Sequence, residues 1–213
     1  MISEFVNVNV VCEGPTEVDF VKKLNKRYFN SRKISLKPLA INKFERQSLE
    51  GNVTIDRLAA HVIRAEFPVV TTFVDFYGFR GRGDKNADEI EKELKEEVNK
   101  EFFIPYLQMY ETEALLFSDA AAIAIIKNAN DKQKRLLDEI ISKNNPEEIN
   151  DGEKTAPSKR LKNIFRDYEK LEDGNRIFDK IQIETMKSKC PRFAKWLDEI
   201  ERMSEIFRQR KQV

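Results

Sequence analysis

Histidine is nearly absent from this chain: among 213 residues, His61 is the only one. No multi-histidine metal site can be built, which excludes histidine-dependent zinc hydrolases and deaminases and histidine-paired ribonuclease chemistry. A lone histidine within a helical segment reads as an ordinary core or surface residue. Cysteine is almost as scarce. Cys12 and Cys190 are too few for a disulfide framework, so a reducing cytoplasm is the expected compartment. Cys12 lies inside an apolar strand and Cys190 lacks a histidine neighbour, so neither reads as a nucleophile. No run of about 18 uncharged apolar residues occurs, and no basic stretch precedes an apolar leader; membrane spanning and secretion are not expected. An excess of one charge is missing too. With 38 Lys and Arg against 37 Asp and Glu, any contact with nucleic acid must come from a local patch. A GxxxxGK[ST] phosphate loop is also lacking, and the glycines of residues 78–83 do not stand between a strand and a helix, so ATP is not an expected ligand.

What is present describes a charge-rich globule, 40% hydrophobic and 35% charged, long enough for one domain with a sizeable core. Val6, Val8 and Val10 alternate with Asn7 and Asn9, and Val11 and Cys12 complete a first strand buried at its exit. Gly14 and Pro15 break it, and Val18, Val21, Leu24 and Tyr28 predict a helix over 15–29. Residues 34–39 predict a short strand at or near a sheet edge because of Pro38. A helix over 53–66 leads into a strand ending at Asp75. This order favours a largely parallel α/β sheet with right-handed crossovers, whose ligands sit at the carboxyl ends of the strands. Residues 78–88, with three glycines and Arg80, Arg82 and Lys85, read as a loop, and 88–101 as a solvated surface helix. A further strand over 102–109 delivers the chain to Glu111 and Glu113. From Ala114 the pattern is helical, with breaks at 144–146 and 150–152. A final helix from near Pro191 carries Phe193, Trp196, Leu197, Ile200, Met203 and Phe207 on one face, which either closes the core or forms a homo-oligomer contact. One domain over 1–213 is expected, with an α/β core at 1–118 and a mainly helical part at 119–213.

With histidine and cysteine set aside, the remaining chemistry is a set of carboxylates: Glu13, Glu17, Asp75, Glu111 and Glu113. Magnesium and manganese prefer oxygen ligands, one or two carboxylates with water and substrate phosphate completing the shell. A pair of such ions could activate water and stabilise the leaving oxygen in phosphodiester cleavage. Glu13 ends a buried strand, where an acid has little structural purpose. Glu17, Glu111 and Glu113 have a plainer explanation, since acids are favoured in the first turn of a helix. Lys159 and Arg160 likewise read first as exposed residues of a first turn following Pro157. Lys154, Lys159, Arg160, Lys162, Arg166 and Lys170 form the densest basic stretch, the expected place for a nucleic-acid backbone.

The segments EGPTE (13–17), VDFYGF (74–79), PYLQMYETEALLFSD (105–119), IND with TAPSKRL (149–151 and 155–161) and CPRFAKWL (190–197) together resemble the domain-of-unknown-function family numbered four-two-seven-six. That family is similar to Toprim (topoisomerase-primase) domains, near those of the overcoming-lysogenization-defect (OLD) nucleases. The resemblance covers nearly the whole chain and implies a Toprim-like, mostly parallel sheet flanked by helices, with a helical C-terminal half. It implies a Mg2+ or Mn2+ site in which Glu13 and Asp75 are the first acid and the first member of a DxD pair. Tyr77 stands where the second aspartate belongs. Glu17 and Glu113 are then the ligands expected to complete the site, and Lys159 is the cation expected at the scissile phosphate, with Arg160, Lys162, Arg166, Arg80 and Arg82 binding nucleic acid. Tyr110 occupies a position often held by histidine in the family.

The activity so implied is metal-dependent hydrolysis of DNA or RNA, as an effector of anti-phage defence controlled by an ABC- or SMC-type ATPase. The alternative class is a Toprim-derived binding module with a decayed metal site, docking on such an ATPase or on nucleic acid; Tyr77 is the feature that favours it. A metal-dependent phosphotransferase would use the same acids.

Overall fold

Three parallel strands, β1 (Val6–Cys12), β2 (Ile34–Ala40) and β3 (Val69–Asp75), form most of the sheet in this computed structural model, which describes residues 5–41, 53–149 and 155–211. The strand order is β2-β1-β3-β4, with β4 (Phe103–Ile104) and the equally short β5 (Leu107–Gln108) both parallel to β3. The expected parallel α/β sheet is therefore found, and Pro38 lies in an edge strand, where its missing N–H leaves no gap in the ladder. β3 is buried along its whole length, as its apolar run requires. Within β1, Asn9 is buried as well, and its Oδ1 accepts the Phe67 N–H at 2.8 Å.

Helix α1 (Pro15–Leu24) starts at the proline, as expected, but the predicted 15–29 helix changes its bonding before it ends. Residues Asn25–Phe29 form a π-helical turn and Asn30–Arg32 a 3-10 turn, while the Asn25 side chain accepts the Leu36 N–H of β2 at 2.8 Å. Helices α2 (Ile55–Ile63) and α3 (Ala87–Val98) pack on each other, each shorter than its sequence pattern suggests. Asn86 and Glu89 close a reciprocal capping box at the start of α3.

The strand predicted over 102–109 is split. Pro105 cannot donate to a ladder, and the hydroxyls of β3 bridge the interruption: Thr71 Oγ1 donates to Ile104 O, and Thr72 Oγ1 donates to Tyr106 O while accepting its N–H. Trp196, the single tryptophan, donates its indole N–H to Thr71 Oγ1 at 2.7 Å and stacks on Tyr106 with ring centres 4.8 Å apart. Phe73 joins this stack and meets Phe20 of α1 face to face at 5.0 Å. Aromatic packing thus fixes the middle of β3.

The chain divides into two compact units, one of Met1–Gln108 with Trp196–Val213 and the other of Met109–Lys195. The second is helical. It begins with a 3-10 stretch, Thr112–Ser118, and contains α4 (Ala120–Ile126), α5 (Asp131–Lys143), α6 (Pro157–Ile164), α7 (Glu172–Lys180) and α8 (Ile183–Lys189). The first residues of α9 (Pro191–Arg210) also belong to it. Glu147 caps that helix from a distance, its two carboxylate oxygens accepting the N–H groups of Arg192 and Phe193, each at 2.9 Å. Among the described residues, no helix is long and apolar enough to cross a membrane.

Candidate metal and nucleic-acid site

The parallel pairing of β1 with β3 places two acids together at one sheet edge. Cys12 and Phe73 share a rung, so Glu13 leaves β1 and Asp75 ends β3 within one residue of a common register. Asp75 is buried and Glu13 half-buried. Carboxyl ends of adjacent parallel strands are where this architecture opens to ligands. Gly78 faces Glu13: a methyl group added there would rest 3.4 Å from both of its oxygens, so the glycine keeps that side of the carboxylate clear of a side chain.

Glu17 has a defined structural task. Its Oε2 accepts the Gly14 N–H at 2.9 Å, closing the turn between β1 and α1, and the side chain is buried. Tyr77, in the place of a second aspartate, points outward and is 41% exposed. Among the described residues, no group of three or more His, Cys, Asp or Glu side chains could hold a metal ion. Two carboxylates such as Glu13 and Asp75 could serve a hard cation only with water and phosphate completing its shell. Arg82 belongs to this region too. Its guanidinium lies over the Phe76 ring, 4.6 Å from the centroid, while Arg80 is exposed and its backbone N–H donates to Val53 O.

The remaining predicted residues lie in the helical unit. Glu111 grips the start of α6: its two oxygens accept the Ser158 N–H at 2.9 Å and the Ser158 hydroxyl at 3.0 Å. This carboxylate satisfies an open helix N-terminus and offsets the unfavourable position of Lys159 in the same first turn. Lys159, Lys162 and Arg166 are exposed, whereas the Arg160 Nε donates to Thr155 O. Lys154, part of the same basic stretch, lies outside the described residues. Glu111→Ala should strand the Ser158 N–H and lower stability by about 1–3 kcal/mol, with Glu111→Gln losing less; urea unfolding midpoints report the difference.

Glu113 is 2% exposed, and Lys170 approaches its Oε2 to 3.1 Å as an ion pair. Neither carboxylate oxygen has a hydrogen-bond partner of good geometry among the described residues. Burial raises its pKa to about 7; Lys170 pulls it back and Glu111 pushes it further up. The nearby Tyr168 hydroxyl is buried without a partner among the described residues, and burial and then Glu113 raise its pKa. The sign for Glu113 follows directly. Between the ordinary carboxylate value of 4.5 and about 7 the folded protein retains a proton that the unfolded chain has lost, so stability falls as pH rises through this window. Glu113→Gln removes that penalty, so relative to the native protein it should gain up to about 3 kcal/mol between pH 4 and pH 8. Urea midpoints for both proteins at the two pH values provide the check; a parallel pH response would contradict it.

Sequence reasoning proposed Glu13, Asp75, Glu113 and Lys159 as site residues, and the structure places the first two at neighbouring strand exits and the last two in the helical unit. It missed the grip of Glu111 on Ser158, because the two residues are 47 positions apart in separate motifs and no local spacing pairs them.

The fold is similar to solved structures. The C-terminal region of the OLD protein from Xanthomonas campestris pv. campestris aligns over 98% of this chain and 99% of its own, with a TM-score of 0.50 and 10% identity. The C-terminal region of the OLD protein from Burkholderia pseudomallei aligns over 96% and 100%, with a TM-score of 0.49 and 12% identity. At such identity the first likeness speaks for the fold, and the Toprim-like α/β class expected from the motifs is the one observed. None of the curated proteins compared matches the chain. Residues 12–201 match the model of one family from the exit of β1 into the last helix, and the chain belongs to that family, described as "Domain of unknown function (DUF4276)".

Proposed function

We propose that this protein is a Toprim-type nuclease that hydrolyses phosphodiesters of DNA or RNA with Mg2+ or Mn2+. The observation that carries the reading is the placement of Glu13 and Asp75 at the exits of two paired parallel strands, with Gly78 leaving the Glu13 carboxylate clear. Glu13 and Asp75 supply the oxygen ligands. A divalent ion bound there would polarise the phosphate and lower the pKa of the attacking water. Glu17 holds the turn from which Glu13 projects, and Arg82, steadied on Phe76, offers positive charge to the phosphate backbone. Lys159, Arg160, Lys162 and Arg166 are the helical unit's contribution to backbone binding, with Lys159 the proposed phosphate contact. Control by an ABC- or SMC-type ATPase and a role in anti-phage defence are part of this proposal and rest on the family resemblance.

Incubation with plasmid and with tRNA in Mg2+, Mn2+ or EDTA, with and without an ATPase encoded alongside, tests it. Cleavage should require the divalent ion. Tyr77 favours a second reading, a binding module without catalysis, because an exposed aromatic replaces the carboxylate that would complete a DxD pair. Calorimetric titration with Mn2+ separates the two: absence of binding at millimolar metal supports the module.

A further inference from the structure

The turn that follows Asp75 holds one large side chain out to solvent and everything around it in place. Phe76 N–H donates to Gln108 O at 2.9 Å, Phe79 N–H closes the turn on Phe76 O at 3.2 Å, and Arg80 N–H donates to Val53 O at 2.8 Å. Phe79 also forms an isolated parallel bridge with Val53. Phe76 and Phe79 are buried on either side, so their packing fixes the turn from below. Tyr77 occupies the first central position and is 41% exposed; Gly78, the next residue, lies against the Glu13 carboxylate. Arg82 lies over another aromatic of this turn, Phe76.

We infer that Tyr77 is a stacking platform for an unpaired nucleobase, which makes single-stranded nucleic acid, or an unpaired stretch within a longer one, the preferred ligand of this edge. The physical basis is the combination of an exposed aromatic on a hydrogen-bonded turn with a guanidinium held over the adjacent residue, Phe76. Every base has a π-face, so an exposed ring binds bases without regard to sequence, while cationic side chains follow the phosphate backbone. In a duplex those faces are already stacked on one another, and reaching one requires unstacking. A pinned turn also loses little conformational freedom on binding, unlike an aromatic on a free loop. The same substitution that removes a carboxylate from the DxD position therefore supplies a recognition group in its place.

This inference relies on the proposed function only in taking nucleic acid as the ligand; it does not require cleavage. The test is fluorescence anisotropy of the full chain with labelled oligomers of about ten nucleotides, within the site size such surfaces span. Single-stranded DNA, single-stranded RNA and a duplex of the same sequence are compared in EDTA, so that no strand is cut. Tyr77→Leu, which keeps bulk but removes the ring, should weaken single-strand binding by about tenfold, and Tyr77→Phe should bind within about twofold of the native protein. Duplex binding should be unaffected by either. Thermal unfolding of the variants should match the native protein, since the side chain is exposed. Unchanged single-strand binding by Tyr77→Leu, equal losses on single strand and duplex, or no binding of any single strand by the native protein would overturn the inference. Its failure is distinct from that of the nuclease reading. A Tyr77-dependent preference can persist when Glu13→Ala leaves cleavage unchanged, and Glu13-dependent cleavage can persist when Tyr77→Leu changes nothing.

Discussion

Glu13→Ala is expected to lower metal-dependent cleavage by at least about a thousandfold, roughly 4 kcal/mol of transition-state stabilisation. Two features make the effect large. Among the described residues, no group of three or more acids could hold the ion, so none of them is placed to take over from Glu13, and waters cannot supply the lost negative charge. Asp75→Asn should produce a comparable loss while keeping shape and hydrogen-bonding capacity. Glu17→Gln gives the contrast. Its amide oxygen can still accept the Gly14 N–H, so if Glu17 acts only through the turn, activity should stay within about tenfold of native, as for a group outside the metal's own ligands. Plasmid and tRNA cleavage rates, Mn2+ affinity by calorimetry and circular-dichroism melts together separate lost chemistry from lost fold. Native rates and native Mn2+ affinity in Glu13→Ala would rule out the assignment.

The second large effect concerns stability in the helical unit. Lys127, which follows α4, keeps only 6% of its side chain exposed, and its Nζ donates to Asp173 Oδ2 at 2.7 Å, a partner side chain 8% exposed. It also meets the exposed Asp167 at 3.1 Å. Asp173 Oδ2 in turn accepts the Glu169 N–H at 3.0 Å. Burial pushes the Asp173 pKa up, but the bonds from Lys127 and Glu169 outweigh it and hold it below the usual range. This contribution is present above the unfolded carboxylate pKa and is lost as pH falls through the lowered folded one. Lys127→Ala leaves the buried carboxylate with only the more distant and exposed Arg176, 3.9 Å from its Oδ1, and a loss of about 3 kcal/mol is expected. Lys127→Met with Asp173→Asn should recover much of it, because asparagine can still accept the Glu169 N–H and no buried charge remains. Urea midpoints of the single and double variants complete the cycle; a double variant as unstable as Lys127→Ala would show that the pair matters through packing instead.

These two cases mark how far the sequence can be read. The alternation of Val6, Val8 and Val10, the apolar run into Asp75 and the proline at the start of α1 are local signals, and each element they predict is present. Departures occur where a distant partner intervenes. The Asn25 side chain bonds to β2 within the π-helical turn, and threonine hydroxyls of β3 take over the ladder where Pro105 interrupts it. Glu13 and Asp75 were legible because strand exits can be located from the pattern alone. Lys127 with Asp173, Glu147 with the start of α9 and Trp196 with Thr71 were not: the partners are 46, 45 and 125 residues apart, and no periodicity encodes such pairings.

The stack of Trp196 on Tyr106 carries a temporal implication. Its unit is discontinuous in sequence, and the whole of Met109–Lys195 is made between the sheet and the helix segment that completes its aromatic core. On a translating ribosome, at roughly 5–20 residues per second, the sheet therefore waits several seconds with Phe73 and Tyr106 uncovered by the indole. The contiguous helical segment faces no such delay. The nascent sheet is thus the part expected to engage a chaperone during synthesis, and its release would be timed by the arrival of a single tryptophan.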